Sequence, residues 1–538
     1  MTALKFWLRP ETKKLQFLYL TFSGLASGFC MAFPSVIGSI IEWLCFIPAA
    51  LAIFAAFEKK CTLKAAYFGG FWLIYSQNVI VYHWFISFYP LEFTGMTKLA
   101  AASVVVVAIF GLALLAALFG GVAGLITLLA SRSRLAKKCS LLIPFAASCS
   151  YVLSEWIRTQ FWFGVPWSRL PLGQLTDGVP YTVLPASVFG SYFVTFLIVL
   201  VSFLLAQAIY MGSFKLRTIL ALSLVASNLL FGIILYNIPD REVDNVRVAA
   251  IQGNISSREK WEEDTGERLT SFEIHSKLTL EAAKEDVDLI VWSETALLSL
   301  NSRELKELSS ICKDYDTNLL FGFLDEDEQG SPRNILMLID ANGELSETIY
   351  IKRHLVPFGE YVPMRDFVMK VFPPLAEIGM LSEDLVAGNG SELFTIERNG
   401  MEIKLGGLIC FDSIYESLAY SSSADGADIL CVSTNDSWFE DSRAVYMHCD
   451  QSRLRAIETG LPLVRSGNTG ISAIITEDGV VTESLEPLVK GMVIGDVELN
   501  EPTGDSRILN SVFLSACALF LLVFPIADCA VFLRKKRK

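Results

Sequence analysis

Val246-Arg247-Val248-Ala249-Ala250-Ile251-Gln252 is an apolar, β-branched run that stops at Gly253-Asn254, and it reads as a buried strand. A polar stretch from 256 to 286 follows with apolar residues at helical spacing, and 287–292 is a second strand. Strand, helix, strand is the signal of a mostly parallel sheet. The pattern recurs at 319–324. Next, 335–339, Asn342-Gly343 and 348–352 read as a hairpin with an Asn-Gly turn. Two more buried strands are expected at 405–410 and 429–433, then a meander over 463–465, 471–475 and 480–481 turned by Asp478-Gly479. Side chains at the carboxyl ends of such strands converge on one rim.

This α/β block is acidic, and the sequence around it is not. Residues 238–507 carry 23 Lys/Arg against 50 Asp/Glu, and the rest of the 538 residues carries 21 against 7. The net charge of −13 thus hides a basic, apolar part and an acidic, soluble one, and nucleic acid is a poor partner for either. Eight segments approach the 20 or so residues that span a bilayer: 14–33, 35–57, 63–87, 98–130, 140–157, 187–211, 216–237 and 509–533. Phe33-Pro34 leaves little room for a loop between the first two. The fourth is long enough that it must tilt, protrude or break near Gly120-Gly121. Eighteen basic residues fall in the N-terminus, alternate loops and the tail, against Lys98, Arg158 and Arg169 on the other side. Both termini are therefore expected in the cytoplasm and the acidic block outside it. The expected division is 1–242 as a seven-helix transmembrane domain, 243–507 as an extracytoplasmic catalytic domain, and 508–538 as a last transmembrane helix with a basic tail.

Three phrases in the block carry chemistry: Val291-Trp292-Ser293-Glu294, the run from Lys352 through His354 to Glu360, and Leu408-Ile409-Cys410-Phe411-Asp412. A carboxylate, an ammonium and a thiol are the parts of covalent acyl transfer. Lys352 favours a Cys410 thiolate and can stabilise an oxyanion, while Glu294 can take and return a proton. Taken singly, each has an ordinary reading: Cys410 as core packing, Glu294 as a helix cap, Lys352 as a solvated strand end, Glu360 as a surface carboxylate. Glu42 and Glu155, near outer ends of spans, read as interfacial. The eleven cysteines show no metal-type spacing, and the pairing of Cys312, Cys431 and Cys449 is left open. No cofactor or metal is expected.

Jointly, the phrases resemble the carbon-nitrogen hydrolase, or nitrilase, superfamily. The whole chain resembles its membrane-embedded branch, the apolipoprotein N-acyltransferases of bacterial envelopes. The likeness extends to Gln252-Gly253-Asn254 with Lys260-Trp261, Asn435-Asp436-Ser437-Trp438-Phe439, Asn468-Thr469-Gly470, and Glu155-Trp156-Ile157-Arg158 with Gly164-Val165-Pro166-Trp167. The resemblance implies a polytopic α-helical membrane domain of about eight helices plus an extracytoplasmic αββα sandwich. It implies Glu294, Lys352 and Cys410 as a triad, Glu360 as a supporting carboxylate, and Trp261 and Trp438 on loops around the acyl chain. The reaction implied is acyl transfer from a phospholipid to the N-terminal diacylglyceryl-cysteine of an apolipoprotein, at the bacterial inner membrane. Ser293 stands where proline is frequent in the family, and Phe411-Asp412 where Tyr-Glu is frequent, which leaves the role of Asp412 open. The rival reading is a membrane-tethered amidase acting on an exported substrate. A transporter or receptor is disfavoured because the spans hold few charges.

Overall fold

The computed structural model describes residues 8–91, 96–161, 164–238, 244–256, 270–298, 300–371, 383–499 and 506–536. The chain separates into two compact units. One comprises Met1–His83, Val106–Ile238 and Ser506–Lys538, and the other Trp84–Val105 and Pro239–Asp505.

The first unit is helical. Among the described residues, six helices are long and apolar enough to cross a membrane: Lys13–Ala32, Val36–Glu58 with an irregular turn inside it, Lys98–Arg132, Ser191–Met211, Phe214–Tyr236 and Ser506–Cys529. Two of the eight expected segments fall short of that measure. One becomes the 19-residue helix Leu63–Val81, which carries Gln77 and Asn78, and the other the 16-residue helix Leu142–Ile157. Lys98–Arg132 is a single 35-residue helix with no break at Gly120-Gly121. The glycines there serve close packing: a Cβ on Gly120 would lie 2.4 Å from Ile74, and one on Gly70 2.2 Å from the Gly120 carbonyl. Gly24 and Gly28, one helical turn apart, let Lys13–Ala32 meet Leu63–Val81 in the same way. A Cβ at either would stand 2.4–2.5 Å from a carbonyl oxygen of the facing helix, the small-residue seam typical of helices packed in lipid.

Glu42 and Glu155 are not interfacial. They are 0% and 2% exposed, because Leu170–Gln174 folds back among the helices of its unit. Gln174 Nε2 donates to Glu42 at 2.7 Å, and Glu155 accepts from Thr195 Oγ1 at 2.8 Å and from the Leu170 N–H at 3.3 Å. Arg158 stands 3.7 Å from Glu155 and is itself buried.

The second unit holds two six-stranded sheets. The strands are β1 (Asn245–Gln252), β2 (Leu289–Val291), β3 (Asn318–Glu326), β4 (Pro332–Ile339), β5 (Leu345–Ile351), β6 (Leu393–Arg398), β7 (Met401–Ile409), β8 (Ile429–Thr434), β9 (Leu463–Gly467), β10 (Ser472–Ile475), β11 (Val481–Leu485) and β12 (Gly491–Glu498). Their orders are β12-β1-β2-β3-β4-β5 and β11-β10-β9-β8-β7-β6. In each sheet three strands run parallel, β1-β2-β3 and β7-β8-β9, and antiparallel strands extend them.

The period of two along β1 explains the layers. Val246, Val248 and Ala250 enter the core between the sheets, with Leu405, Ile409 and Val464 from the other sheet. Ala249 and Ile251 face outward, into a second core shared with helices Ser271–Ala283 and Ser302–Tyr315. Helices Glu416–Ala424 and Arg443–Thr459 pack on the second sheet. The unit is therefore an αββα sandwich. Two strands have no counterpart in the sequence reading, β6 and β12. β6 reaches β7 through Asn399-Gly400, whose φ values of 52° and 76° suit a two-residue hairpin turn.

Replacing Gly28 by leucine is expected to destabilise the helical unit by about 1–3 kcal/mol through overpacking. A lowered thermal midpoint of the detergent-solubilised protein would register the effect, and an unchanged midpoint would refute the close seam.

Candidate active site

β2 and β5 end on the same edge of the first sheet. β3 is parallel to β2, and the two antiparallel steps from β3 to β4 to β5 restore the original direction. Glu294 follows β2 and Lys352 follows β5, so both reach that edge. Gly322 makes room for the turn that carries Glu294: a Cβ there would meet the Ser293 carbonyl at 2.4 Å and the Thr295 nitrogen at 2.7 Å. Lys352 Nζ donates to Glu294 Oε1 at 2.8 Å and to Glu360 Oε1 at 2.7 Å.

Lys352 and Glu294 are nearly free of water, 1% and 5% exposed, and the Glu360 side chain is 13% exposed. Burial alone would drive the Lys352 ammonium toward neutrality, but Glu294, Glu360 and Cys410 outweigh it and hold its pKa well above the ordinary value. One ammonium does not compensate two carboxylates. Burial first, then the charge of Glu294, raises the pKa of Glu360 despite the opposing pull of Lys352.

Uncharged donors complete the set. Asn334 Nδ2 donates to Glu294 Oε1 at 2.7 Å, the Asn435 N–H to Glu294 Oε2 at 2.9 Å, and the Val356 N–H to Glu360 Oε2 at 2.8 Å. Sequence reasoning passed over Asn334. Its signal is one amide inside the apolar strand β4, where a polar side chain has no reason to be unless it is hydrogen-bonded.

Cys410 lies at the end of β7 and opens a short 3₁₀ turn, Cys410–Ile414, with φ at +48°. That left-handed conformation is unfavourable for a side chain by about 1–2 kcal/mol, and it sets the thiol on the turn between strand and helix. The residue is 9% exposed. Burial, then the Glu294 anion, raises the thiol pKa far above that of a free cysteine, while Lys352 and a hydrogen bond with Thr434 pull the other way. The resting thiol is thus protonated, with a carboxylate and an ammonium at hand.

Asp412, open in the sequence, is a brace. It accepts from Tyr350 Oη at 2.9 Å, the His354 N–H at 2.7 Å and the Ile409 N–H at 3.1 Å, tying the Cys410 turn to the end of β5. Trp438 is half-buried in the short turn Ser437–Phe439 that follows Asn435. Trp261 lies outside the described residues. Next to Trp438, Phe439 packs edge-on to Trp84 at 5.1 Å and stacks with Phe88 at 6.1 Å. Trp84–Phe88 was expected to finish a membrane span, but the helix ends at Val81 and this segment belongs to the sandwich unit.

All eleven cysteines carry free thiols, and Cys312, Cys431 and Cys449 are buried singly. Among the described residues one trio, Cys410, Asp436 and His448, has ligand atoms within 4.8 Å of one another. Asp436, however, already accepts from His448 Nδ1 at 2.8 Å, Thr434 Oγ1 at 3.1 Å and Arg465 at 2.9 Å, an arrangement that favours protein donors over a metal ion.

Residues 247–503 match the carbon-nitrogen hydrolase family, and residues 25–204 match the apolipoprotein N-acyltransferase N-terminal domain. An apolipoprotein N-acyltransferase of Allorhizobium ampelinum is 31% identical over 399 residues, covering 72% of each chain. The chain belongs to the apolipoprotein N-acyltransferase family. A second member of this acyltransferase family, from Haemophilus ducreyi, is 30% identical over 66% of this chain and 69% of its own. Among solved structures, an amidase from Nesterenkonia sp. aligns at 15% identity over 51% of this chain and 98% of its own, with a TM-score of 0.37. The Helicobacter pylori carbon-nitrogen hydrolase aligns at 15% identity over 52% and 94%, with a TM-score of 0.35.

Substituting Asn334 with alanine leaves two buried carboxylates short of a donor, a cost of about 1–3 kcal/mol. The variant is expected to lose that stability in thermal unfolding, and Asn334→Asp to lose more by adding a third carboxylate. Equal midpoints for wild type and both variants would remove Asn334 from the cluster.

Proposed function

We propose that this protein transfers an acyl chain from a membrane phospholipid to the α-amino group of the N-terminal diacylglyceryl-cysteine of apolipoproteins, through a thioester on Cys410. The observation that carries the reading is the meeting of Glu294 and Lys352 at hydrogen-bond distance, with Cys410 within their electrostatic reach, in a chain with six membrane-length apolar helices.

In the first half-reaction Glu294 takes the Cys410 proton as sulfur attacks the ester carbonyl. The oxyanion is stabilised by the Lys352 ammonium and by a backbone N–H just beyond Cys410, a contribution of about 3–4 kcal/mol for donors of this kind. Collapse breaks the C–O bond, Glu294 returns the proton to the departing lysophospholipid, and the acyl chain stays on sulfur. In the second, the lipoprotein amine attacks the thioester, Glu294 accepts its proton, the amide forms and the thiol is restored. Glu360 holds Lys352 between two anions. The family resemblance assigns Trp261 and Trp438 to the border of the acyl chain.

The donor accounts for the membrane helices. Drawing a 16-carbon chain from lipid into water costs roughly 12 kcal/mol at about 0.8 per methylene, so the acyl chain must reach the thiol without crossing water. The proposal includes a multi-pass protein of the bacterial inner membrane, with both termini cytoplasmic, the domain 243–507 periplasmic, and about eight helices counting the two short ones. The bias of basic residues supports this orientation.

Membranes incubated with labelled phospholipid and no acceptor should leave a hydroxylamine-sensitive label on the wild type and no thioester on Cys410→Ser. Glu294→Gln should slow adduct formation by a factor on the order of 10²–10⁴; labelling at the wild-type rate would remove Glu294 from the base role. Mass spectrometry of a lipoprotein N-terminus should show one more amide-linked acyl chain when the protein is present. Release of free fatty acid with no gain on the lipoprotein would favour an amidase.

A further inference from the structure

Behind the Cys410 turn lies a histidine to which the acyl-transfer scheme assigns nothing. His448, on the helix Arg443–Thr459, is 1% exposed. Its Nδ1 is 2.8 Å from Asp436 Oδ1, and its Nε2 is 3.2 Å from the Cys410 carbonyl oxygen and 3.1 Å from Ser413 Oγ. Ser413 Oγ commits its single proton to the same Cys410 carbonyl at 2.7 Å.

A carbonyl oxygen only accepts, so the contact at Nε2 is a hydrogen bond when that nitrogen carries a proton. Asp436 is a carboxylate. Burial opposes its charge, but His448 and Arg465 outweigh burial and hold its pKa at about 2, so Nδ1 is also a donor. A ring that carries a proton on each nitrogen satisfies both oxygens, and such a ring is a cation. A ring nitrogen, an Asp436 oxygen and Cys410 Sγ all lie within 4.8 Å of one another. The charged groups facing the ring are Asp436 from the segment after β8, Arg465 from β9 through Asp436 at 2.9 Å, and the thiol itself. Beyond the thiol stand Glu294 and Lys352.

We propose that His448, held by Asp436, is a positioning residue for the nucleophile. It grips the Cys410 carbonyl and Ser413, keeps Cys410 in its left-handed turn, and adds a second positive charge, besides Lys352, that favours the thiolate. This deepens the acyl-transfer reading and rests on it for the role of Cys410. A residue serving packing alone would need neither the carboxylate partner nor a proton on both nitrogens. The neighbouring positive charge offsets the anions of Glu294 and Asp436, both of which raise the thiol pKa.

The test reads the thiol directly. The full-length protein in detergent is alkylated with iodoacetamide across pH, and the Cys410 peptide is followed by mass spectrometry. His448→Gln, which keeps a donor but no charge, should move the alkylation midpoint up by about one pH unit, a tenfold slower reaction at fixed pH below both midpoints. Thioester formation from labelled phospholipid should fall by a similar factor. His448→Asn, likewise uncharged, should shift the midpoint in the same direction, and it carries the test if His448→Gln does not accumulate as folded protein. A folded His448→Gln with the wild-type alkylation profile and thioester rate would overturn the inference. If wild type takes no thioester label while the alkylation shift is still seen, the positioning role stands and the acyl-transfer reading falls.

Discussion

One lysine ammonium held between two carboxylates, away from water, is the constraint around which the sandwich unit is arranged. A buried charge without partners is costly by several kcal/mol, and here three are placed together. They persist because amides also meet both carboxylates: Asn334 from β4 on Glu294 Oε1, Asn435 after β8 on Glu294 Oε2, and Val356 in the loop before Glu360 on Glu360 Oε2. Four separate parts of the chain must be in register before the cluster is satisfied. Folding and chemistry therefore draw on the same contacts. Removing a member leaves an uncompensated charge and also takes away a reacting group.

The thiol comes from the other sheet, so its distance from that cluster is set by the core between the sheets. Apolar side chains of β1, β2 and β3 on one side and of β7, β8 and β9 on the other define that spacing. Two polar braces then refine it. Asp412 ties the Cys410 turn to the end of β5, and His448 with Asp436 supports it from behind. A left-handed cysteine is a small store of strain, and strain of this kind persists only where the surroundings over-determine it. Here the determinants are named hydrogen bonds from three different elements.

In the helical unit the same rule for buried charge operates with fewer partners. Glu42 and Glu155 lie among apolar helices, Glu42 matched by Gln174 and Glu155 by Thr195 and Arg158. Close approach of the helices at Gly24, Gly28, Gly70 and Gly120 adds packing where lipid offers no hydrophobic driving force between them.

The local periodicities of the chain were enough to read the parallel β1-β2-β3 and β7-β8-β9 cores, the apolar helices and the acidic block, since burial on both faces demands continuous apolar runs. Glu294, Lys352 and Cys410 were legible as candidates because each ends such a run or a hairpin strand. Not legible were β6 and β12, which alternate and lie outside the parallel cores, or the 35-residue unbroken helix, whose glycines look like breaks until the facing helix is present. Asn334 shows only as an amide inside an apolar strand, and nothing local marks the partners of Asn334, Asp412 or His448, for a hydrogen bond between residues 40, 62 or 38 positions apart leaves no period in the sequence. Pattern along the chain records which side chains must leave water; only the folded chain decides which polar groups meet once they have left it, because that depends on distances that no stretch of neighbours contains.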